Sequence, residues 1–275
     1  AINGNDLEAI QQIDPVDGTV IRSIPLPEQA SLDFEGLAYD GRYLYYVNGY
    51  GQNRIYRIDA ETGQVVDSMP FNRVNGLAAS STHLYVLQWD QDLIYEVDFE
   101  TKAIVRTLDP GRRLGNALAY CEPRGSFFVS DYYNDLYEVD FETGAILREL
   151  QPRGNAGGLA FSIGAGVLFS GDINGDRVAA LDPDTLDVLN EFTLPSPSGL
   201  AADEAKNRLQ LFVDPAEGQI AGGQSRPITV TASAQDLLGG DYSASIIVRS
   251  NDPLSPEVTI PVNLRVTGAP GIHAS

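Results

Sequence analysis

A repeat of about forty residues is the feature that most constrains how this chain can fold. Five copies of a short apolar motif open successive segments, and their leucines are 40, 41, 41 and 41 residues apart. The leucines are Leu37, Leu77, Leu118, Leu159 and Leu200. The first copy, Gly36 to Met69, divides into four short strands separated by turn residues. A four-strand unit at this period predicts a β-propeller, whose blades pack face to face around a central channel.

The two ends of the repeat region predict how the ring closes. Residues 8–27 match the second half of a blade, with Ile13-Asp14 in the place of Ile58-Asp59. We expect five blades, the last of them shared between these residues and the segment 198–213, so that no edge strand is left exposed. Residues 1–7 are expected to be a frayed lead-in.

The composition changes near residue 205, where the repeat ends. Longer alternating strands follow between turns rich in Gly and Pro: Ile228 to Ala232, Tyr242 to Val248 and Glu257 to Val266. This pattern is typical of a β-sandwich. The sequence therefore predicts an all-β protein with a propeller over 1–207, its N-terminal half-blade completed by 198–213. A β-sandwich over 208–268, incomplete if the last blade takes its first strand, and a linker or tail over 269–275 complete the predicted organisation.

Turn motifs in the second region resemble the Ig-like domain family named after the abnormal spindle and hydin proteins. The motifs are Pro215 to Gly218 with Gly222-Gly223, Gly240-Asp241-Tyr242, Ser250 to Pro253, and Pro261-Val262. The resemblance implies an Ig-like sandwich within a larger multidomain chain of a secreted bacterial protein. That family usually has one or two strands before the first turn. The single candidate strand, Arg208 to Val213, is also needed to complete the last blade.

The charge of the chain limits its partners and its location. The formal net charge is −20, the pI is near 4.2, and two of the 18 basic residues are lysines, Lys102 and Lys206. A nucleic acid would be repelled from most of such a surface. No apolar run approaches the length of a membrane span. We expect a secreted or cell-surface protein, extracellular or periplasmic, with a protein, peptide or carbohydrate partner.

Few residues in the sequence carry obvious chemistry. The histidines His83 and His273 are far apart, so neither a His-based metal site nor a hydrolase triad is indicated. Cys121 is the single cysteine, and we expect it to be a buried structural residue. Residues Asp172, Asn174 and Asp176 imitate the start of a calcium loop, but the twelfth position is Pro183 instead of Glu. We therefore expect no cofactor, with calcium as a weak alternative.

Stacking the blades places equivalent loop residues at one mouth of the channel, where propellers usually bind ligands. The residue before each inner strand is polar or small, and the second strand of most copies ends in an amide or a carboxylate. These candidate ligand-binding residues are Glu35, Asn48, Asn75, Gln88, Trp89, Asn116, Asp131, Tyr132 and Asp172. Amides, carboxylates and aromatic platforms can hold a sugar or a cationic group. The same residue types are also common in turns, where they bind their own backbone.

The first two blades are similar to plant-type and bacterial glutaminyl cyclases, which are five-bladed propellers. The similarity lies in Phe34 to Leu37, Gly49 to Gln52 and Leu84 to Trp89, and NHL-like propellers share the general pattern. It implies five blades and a substrate-contacting role for Trp89. Asn75 stands where that family has its acid/base Glu, and an amide cannot transfer the proton that cyclisation requires.

These observations favour a non-enzymatic binding or scaffolding module with a ligand-binding mouth. A cyclase-like or lyase-like enzyme and a purely structural spacer in a large secreted protein are the alternatives.

Overall fold

A computed structural model gives the structure of the chain. It describes residues 1–2, 8–31, 35–80, 82–131, 135–151, 154, 156–202, 210–215, 218–220, 223–233, 240–252 and 256–266. The chain divides into two compact units, Ala1–Glu204 and Ala205–Ser275. The described residues form strands with one short 3-10 helix, Glu122–Arg124, as expected for an all-β protein. No helix among them is long and apolar enough to span a membrane.

Four four-stranded antiparallel sheets form the blades of the first unit. Blade 1 contains β3 (Glu35–Tyr39), β4 (Tyr43–Asn48), β5 (Arg54–Asp59) and β6 (Val65–Pro70). Blade 2 contains β7 (Val74–Ala79), β8 (Leu84–Gln88), β9 (Leu93–Asp98) and β10 (Ala103–Leu108). Blade 3 contains β11 (Leu118–Cys121), β12 (Ser126–Ser130), β13 (Leu136–Asp140) and β14 (Ile146–Leu150). Blade 4 contains β15 (Ala156–Ser162), β16 (Val167–Asp172), β17 (Arg177–Leu181) and β18 (Val188–Thr193).

The expected fifth four-stranded blade is absent from the described residues, which show a hairpin instead. The hairpin pairs β1 (Ala9–Ile13) with β2 (Val20–Pro25). Ala1 and Gln11 exchange two hydrogen bonds of 2.7 and 2.8 Å, and Ile2 bridges to Gly199. Residues 1–2 were expected to fray, and this was wrong because their backbone groups pair on both sides.

Small residues on the inner strands set the distance between neighbouring blades. The Cβ of an alanine at Gly36 would lie 3.1 Å from the backbone nitrogen of Leu77, and one at Gly76 would lie 3.0 Å from that of Leu118. A Cβ at Gly158 would come within 2.9 Å of Leu200 in the same way. Each glycine therefore allows the backbone of the next segment to approach closely. The predicted burial of the repeat leucines is confirmed.

A second set of contacts joins outer strands to a turn of the neighbouring sheet in the first unit. Arg106 donates to Glu142, Arg148 to the carbonyls of Pro183 and Asp184, and Asn190 to those of Pro15 and Val16. Arg22 of the hairpin donates to the carbonyls of Ala60 and Glu61 in blade 1. The hairpin thus contacts blade 4 on one side and blade 1 on the other.

A β-bulge precedes each of these four residues and also precedes Asp67 on the outer strand of blade 1. The extra residue is Ile21, Val66, Val105, Leu147 or Leu189, all of them exposed aliphatic side chains. A bulge re-aims the side chains that follow it. It also interrupts the free edge of the outer strand, which protects the blade from pairing with another chain.

Aspartates end the third strand and hold the turn that follows. Oδ1 of Asp59 accepts hydrogen bonds from the amide and the hydroxyl of Thr62, and Asp140 accepts the same pair from Thr143. Hydrogen bonds from these threonines lower the pKa of Asp59 and of Asp140 below its usual value. The pKa values of Asp98 and Asp182 are lowered for the same reason.

The second unit departs from the expected Ig-like sandwich. Among its described residues, β19 (Gln210–Asp214) pairs with β20 (Thr229–Ser233), and β21 (Gly240–Arg249) pairs with β22 (Glu257–Val266). These are two separate two-stranded sheets, so no clear sandwich is seen. The alternating pattern correctly indicated strands. It carries no information on how the strands pair beyond a hairpin. β19 pairs with β20, and residues 210–214 belong to the second unit, so the completion of the N-terminal half-blade by 198–213 stays a prediction. The remaining boundaries, at 207, 268 and 269–275, stay predictions.

Replacing Gly76 by alanine should destabilise the protein because the new Cβ meets Leu118 at 3.0 Å in both backbone and side chain. We expect a loss of about 1–3 kcal/mol in the free energy of unfolding, measured by denaturant titration. Gly199→Ala, whose Cβ would meet its closest atom at 3.2 Å, is the matched control and should cost less. Equal effects would show that inner-strand spacing does not limit stability.

Stability should fall when the turn aspartates are protonated. Their pKa values are lower in the folded state than in the unfolded chain, so their stabilising effect is complete above about pH 4 and disappears as the pH falls through the folded values. Thermal unfolding followed from pH 6 to pH 2 should show this loss. Asp59→Asn should flatten that dependence, and an unchanged curve for this variant would contradict the assignment.

Candidate functional site

Bulges at the start of the inner strands present side chains at one end of the ring. In blade 2, Val74 pairs with Gln88 and Gly76 pairs with Leu87, which leaves Asn75 as the extra residue. In blade 3, Ser130 bonds to both Gly115 and Ala117, which leaves Asn116 between them. Bulges of this kind are frequent next to functional sites because they redirect a side chain.

These two amides meet across the seam between their blades. Nδ2 of Asn75 donates to Oδ1 of Asn116 over 3.4 Å. Asn75 is 2% exposed, whereas Asn116 is half-buried. The predicted convergence of Asn75 and Asn116 is therefore found in the structure.

The carboxylate of Glu35 lies at the equivalent position of blade 1, where it is almost fully buried. Its Oε1 accepts hydrogen bonds from the backbone amide and the hydroxyl of Ser31. Asn48 is the strand partner of Glu35; its Oδ1 lies 3.0 Å from the Ser31 hydroxyl, and its Nδ2 donates to the carbonyl of Gln29. The segment before β3 thus holds Glu35 and Asn48 together.

At this end of the ring, Oδ1 of Asn75 and the hydroxyl of Ser198 are buried and lack a hydrogen-bond partner among the described residues. Ser198 is 0% exposed. Ser198 precedes Gly199, as Asn75 precedes Gly76, so both residues hold the same place in the repeat. Burial of an unpartnered polar group costs about 1–3 kcal/mol. Each of these two atoms therefore lowers the stability of the folded protein.

Blade 4 has no side chain at this position. A Cβ at Gly157 would lie 2.0 Å from Cδ1 of Ile173, so the isoleucine covers the place that a side chain would occupy. This end of the ring is consequently polar over blades 1 to 3 and at Ser198, and apolar at blade 4. We call Glu35, Asn75, Asn116 and Ser198 the mouth residues.

Trp89 and Gln88 each interact with a residue of the loop before β7. The guanidinium of Arg73 lies 5.2 Å from the centroid of the Trp89 ring and pairs with Asp90 at 3.2 Å. Gln88 donates from Nε2 to the carbonyl of Asn72. One face of the expected aromatic platform is thus already covered by a cation of the same chain.

The carboxylates at the ends of the second strands are largely used within their own loops. Asp131 accepts from the amide of Asp135 and from the hydroxyl of Tyr137. Asp172 forms an ion pair of 3.0 Å with Arg177 and accepts from the amide of Gly175. Tyr132 lies outside the described residues.

The weak calcium candidate is not assembled as a ligand cage. Asp172 faces Arg177, and Asp176 accepts the backbone amide of Ser196 at 2.9 Å. Asn174 is exposed. No group of three or more His, Cys, Asp or Glu side chains suited to a metal occurs in the part of the chain that the structure describes. The expectation that the protein needs no cofactor stays a prediction.

Three residues that determine the site could be found in the structure but not in the motif. Ser31 holds Glu35, Arg73 covers Trp89, and Ile173 fills the space over Gly157. Each lies in a loop that varies between the repeat copies, so aligning the copies gives no signal for it. Cys121, expected to be structural, is fully buried, and burial raises the pKa of its thiol to about 11.

The arrangement favours recognition of hydrogen-bond donors. The side-chain amide of Asn75 donates one hydrogen to Asn116, and its carbonyl oxygen has no hydrogen-bond partner in the described part of the chain. Glu35 contributes a carboxylate. Ser198 can donate or accept. The oxygens of Asn75 and Glu35 can accept hydrogen bonds from a ligand carrying N–H or O–H groups, and the amide nitrogen of Asn116 can donate.

Comparison with known proteins gives one family match, and it covers part of the chain. Residues 7–69, less than a quarter of the chain, match the family model described as PepSY, "Peptidase propeptide and YPEB domain". In this structure that segment includes the β1–β2 hairpin and blade 1. No curated protein sequence matches the chain.

Among solved structures, glutaminyl cyclase of Myxococcus xanthus is similar over 90% of this chain and 97% of its own, with a TM-score of 0.55 and 17% identity. Hydrazine synthase of Kuenenia stuttgartiensis is similar over 62% of this chain and 51% of its own, with 14% identity and a TM-score of 0.43. A chain of the mitotic checkpoint complex is similar over 70% of this chain and 60% of its own, with 18% identity and a TM-score of 0.46. At 17% identity the first similarity shows a shared propeller-like fold.

Proposed function

We propose that the chain is a non-enzymatic binding module whose propeller mouth holds a donor-rich group of a peptide or carbohydrate ligand, in the first place the amino terminus of a peptide. We further propose that the hairpin, with residues 1–2 and 198–200, acts as a fifth blade that completes the mouth. The contacts of Arg22, Asn190 and Gly199 support this closure.

The observation that carries the proposal is the buried, unpartnered carbonyl oxygen of Asn75 beside the carboxylate-bearing blade 1. An apolar side chain of the same shape at this position would remove the penalty for burying that oxygen. A polar group that weakens the fold at one end of a channel is explained by a role in binding, because stability and function often compete at such sites.

A binding role agrees better with these residues than a cyclase-like activity does. A general acid or base must exchange a proton with the substrate, and the amides of Asn75 and Asn116 cannot do so. Glu35 is the one titratable group among the mouth residues, and its Oε1 is engaged by Ser31. The similarity to a glutaminyl cyclase keeps the enzyme as the second candidate function. Turnover of a glutaminyl peptide with release of ammonia, abolished by Glu35→Gln, would establish it.

The family match favours a third, peptidase-related role for residues 7–69. In such a role the chain would inhibit or accompany a peptidase. We place this below ligand binding because the described strands of this segment are paired within the hairpin and blade 1. A structural spacer in a secreted or periplasmic protein is the remaining alternative, and it predicts no saturable ligand.

Asn75→Leu separates binding from stability. The free energy of unfolding of the variant should be unchanged or higher by about 1–2 kcal/mol, because a buried unpartnered oxygen is removed. It should weaken binding of tripeptides with a free amino terminus by about 10- to 100-fold, measured by calorimetry, because an acceptor for the ammonium group is lost. N-acetylated tripeptides, which lack that charge, should bind weakly to both proteins.

Asn190→Leu is the matched control, since Asn190 lies on an outer strand and bonds the turn carbonyls of Pro15 and Val16. It should lower stability and leave peptide affinity unchanged. Equal binding of free and acetylated peptides would contradict recognition of the ammonium group, and silence of a broad peptide and glycan panel would favour the spacer.

A further inference from the structure

An open groove lies where the loop from blade 1 enters blade 2, and its lining contains none of the mouth residues. Its volume is about 310 Å³, and it is lined by Pro70, Phe71, Asn72, Gln88, Tyr95 and Ile104. This volume is at the lower end of the roughly 300–1,000 Å³ typical of small-molecule sites. It suits a ligand of the size of one sugar ring.

Two aromatic rings form one wall of the groove. The centroids of Phe71 and Tyr95 are 5.5 Å apart, and the ring planes are inclined by 58°. Both side chains are half-buried, so each is fixed by packing while part of it stays accessible. Such rings offer a large apolar contact at a low cost in conformational entropy. The C–H face of a pyranose packs well against a surface of this kind.

Amide groups lie beside the aromatic pair. Gln88 donates one hydrogen of Nε2 to the carbonyl of Asn72 at 3.0 Å, which fixes the position of its side chain. Its carbonyl oxygen and second amide hydrogen are then suitable for the paired donor and acceptor functions of sugar hydroxyls. Gln88 was expected to face the central mouth, and the groove gives it another use.

The charge of the lining distinguishes the ligand class. None of the six lining residues is charged, although the chain carries a net charge of −20. The nearby Arg73 is paired with Asp90. Burial and the negative charge of Asp90 raise the pKa of Tyr95 above its usual value, which already lies well above neutral pH, so the hydroxyl can donate a hydrogen bond. A neutral ligand therefore fits the groove better than an anion or a cation.

We propose that this groove, between blades 1 and 2, is a binding site for a neutral pyranose. The sugar ring stacks on Phe71 and Tyr95, and its hydroxyls bond to Gln88. The proposal rests on residues other than the mouth residues, so it stands or fails separately from the peptide-binding function.

Saturation-transfer NMR with methyl glycosides of glucose, galactose, mannose and N-acetylglucosamine tests the proposal, with glucuronic acid as the anionic comparison. At least one neutral glycoside should bind saturably and shift the emission of Trp89, the single tryptophan, which follows Gln88 in the chain. Gln88→Leu should weaken that binding by about 5- to 10-fold, since one or more hydrogen bonds are lost.

Tyr95→Leu should abolish the signal by removing the platform, while Tyr50→Leu, an exposed tyrosine outside the groove, should leave it unchanged. Unfolding curves of Gln88→Leu identify any loss that is due to misfolding. Asn75→Leu should bind the glycoside normally. The proposal is overturned if none of the four neutral glycosides binds saturably, or if binding survives in a folded Gln88→Leu and in Tyr95→Leu alike.

Discussion

The close approach of neighbouring inner strands is the constraint on which the rest of the first unit depends. Glycine at positions 36, 76 and 158 lets the backbone of the next strand approach to where a side chain would otherwise lie. The contact repeats at Gly199, whose Cβ would lie 3.3 Å from that of Leu37, so the segment after blade 4 leads back to blade 1. A repeat of this kind cannot bury its faces in a single copy and needs its neighbours to do so.

The character of the mouth follows from this packing. The residue before the glycine, or before Ala117 in blade 3, lies at the start of the inner strand, and in blades 2 and 3 it is the extra residue of a bulge. Polar side chains there are close together but have few partners, as Asn75 and Ser198 illustrate. Geometry that stabilises the ring thus concentrates unpartnered polar groups at one end, where they weaken the fold and favour a ligand.

The sequence predicted the repeating blades well because each carries its own apolar motif and its own aspartate turn. The pairing of Ile2 was missed because two residues have no periodicity. The assignment of 198–213 to the shared blade stays a prediction, and the sequence did not indicate that β19 pairs with β20. At the site, Asn75, Asn116 and Glu35 were found from their place in the repeat. The roles of Trp89 and Gln88 at the mouth stay predictions, and their contacts with Arg73 and Asn72 could not be foreseen because those residues lie in a connecting loop outside the repeated motif.

Native-state hydrogen exchange tests the closure of the ring by its two ends most directly. The amide of Ile2 donates to the carbonyl of Gly199 at 2.9 Å, and that of Gln11 donates to the carbonyl of Ala1 at 2.7 Å. If these pairings close the ring, both amides should exchange with an opening free energy close to that of Val86, a fully buried residue of blade 2. Exchange of Ile2 and Gln11 at the rate of an unstructured terminus, with Val86 still protected, would contradict the account.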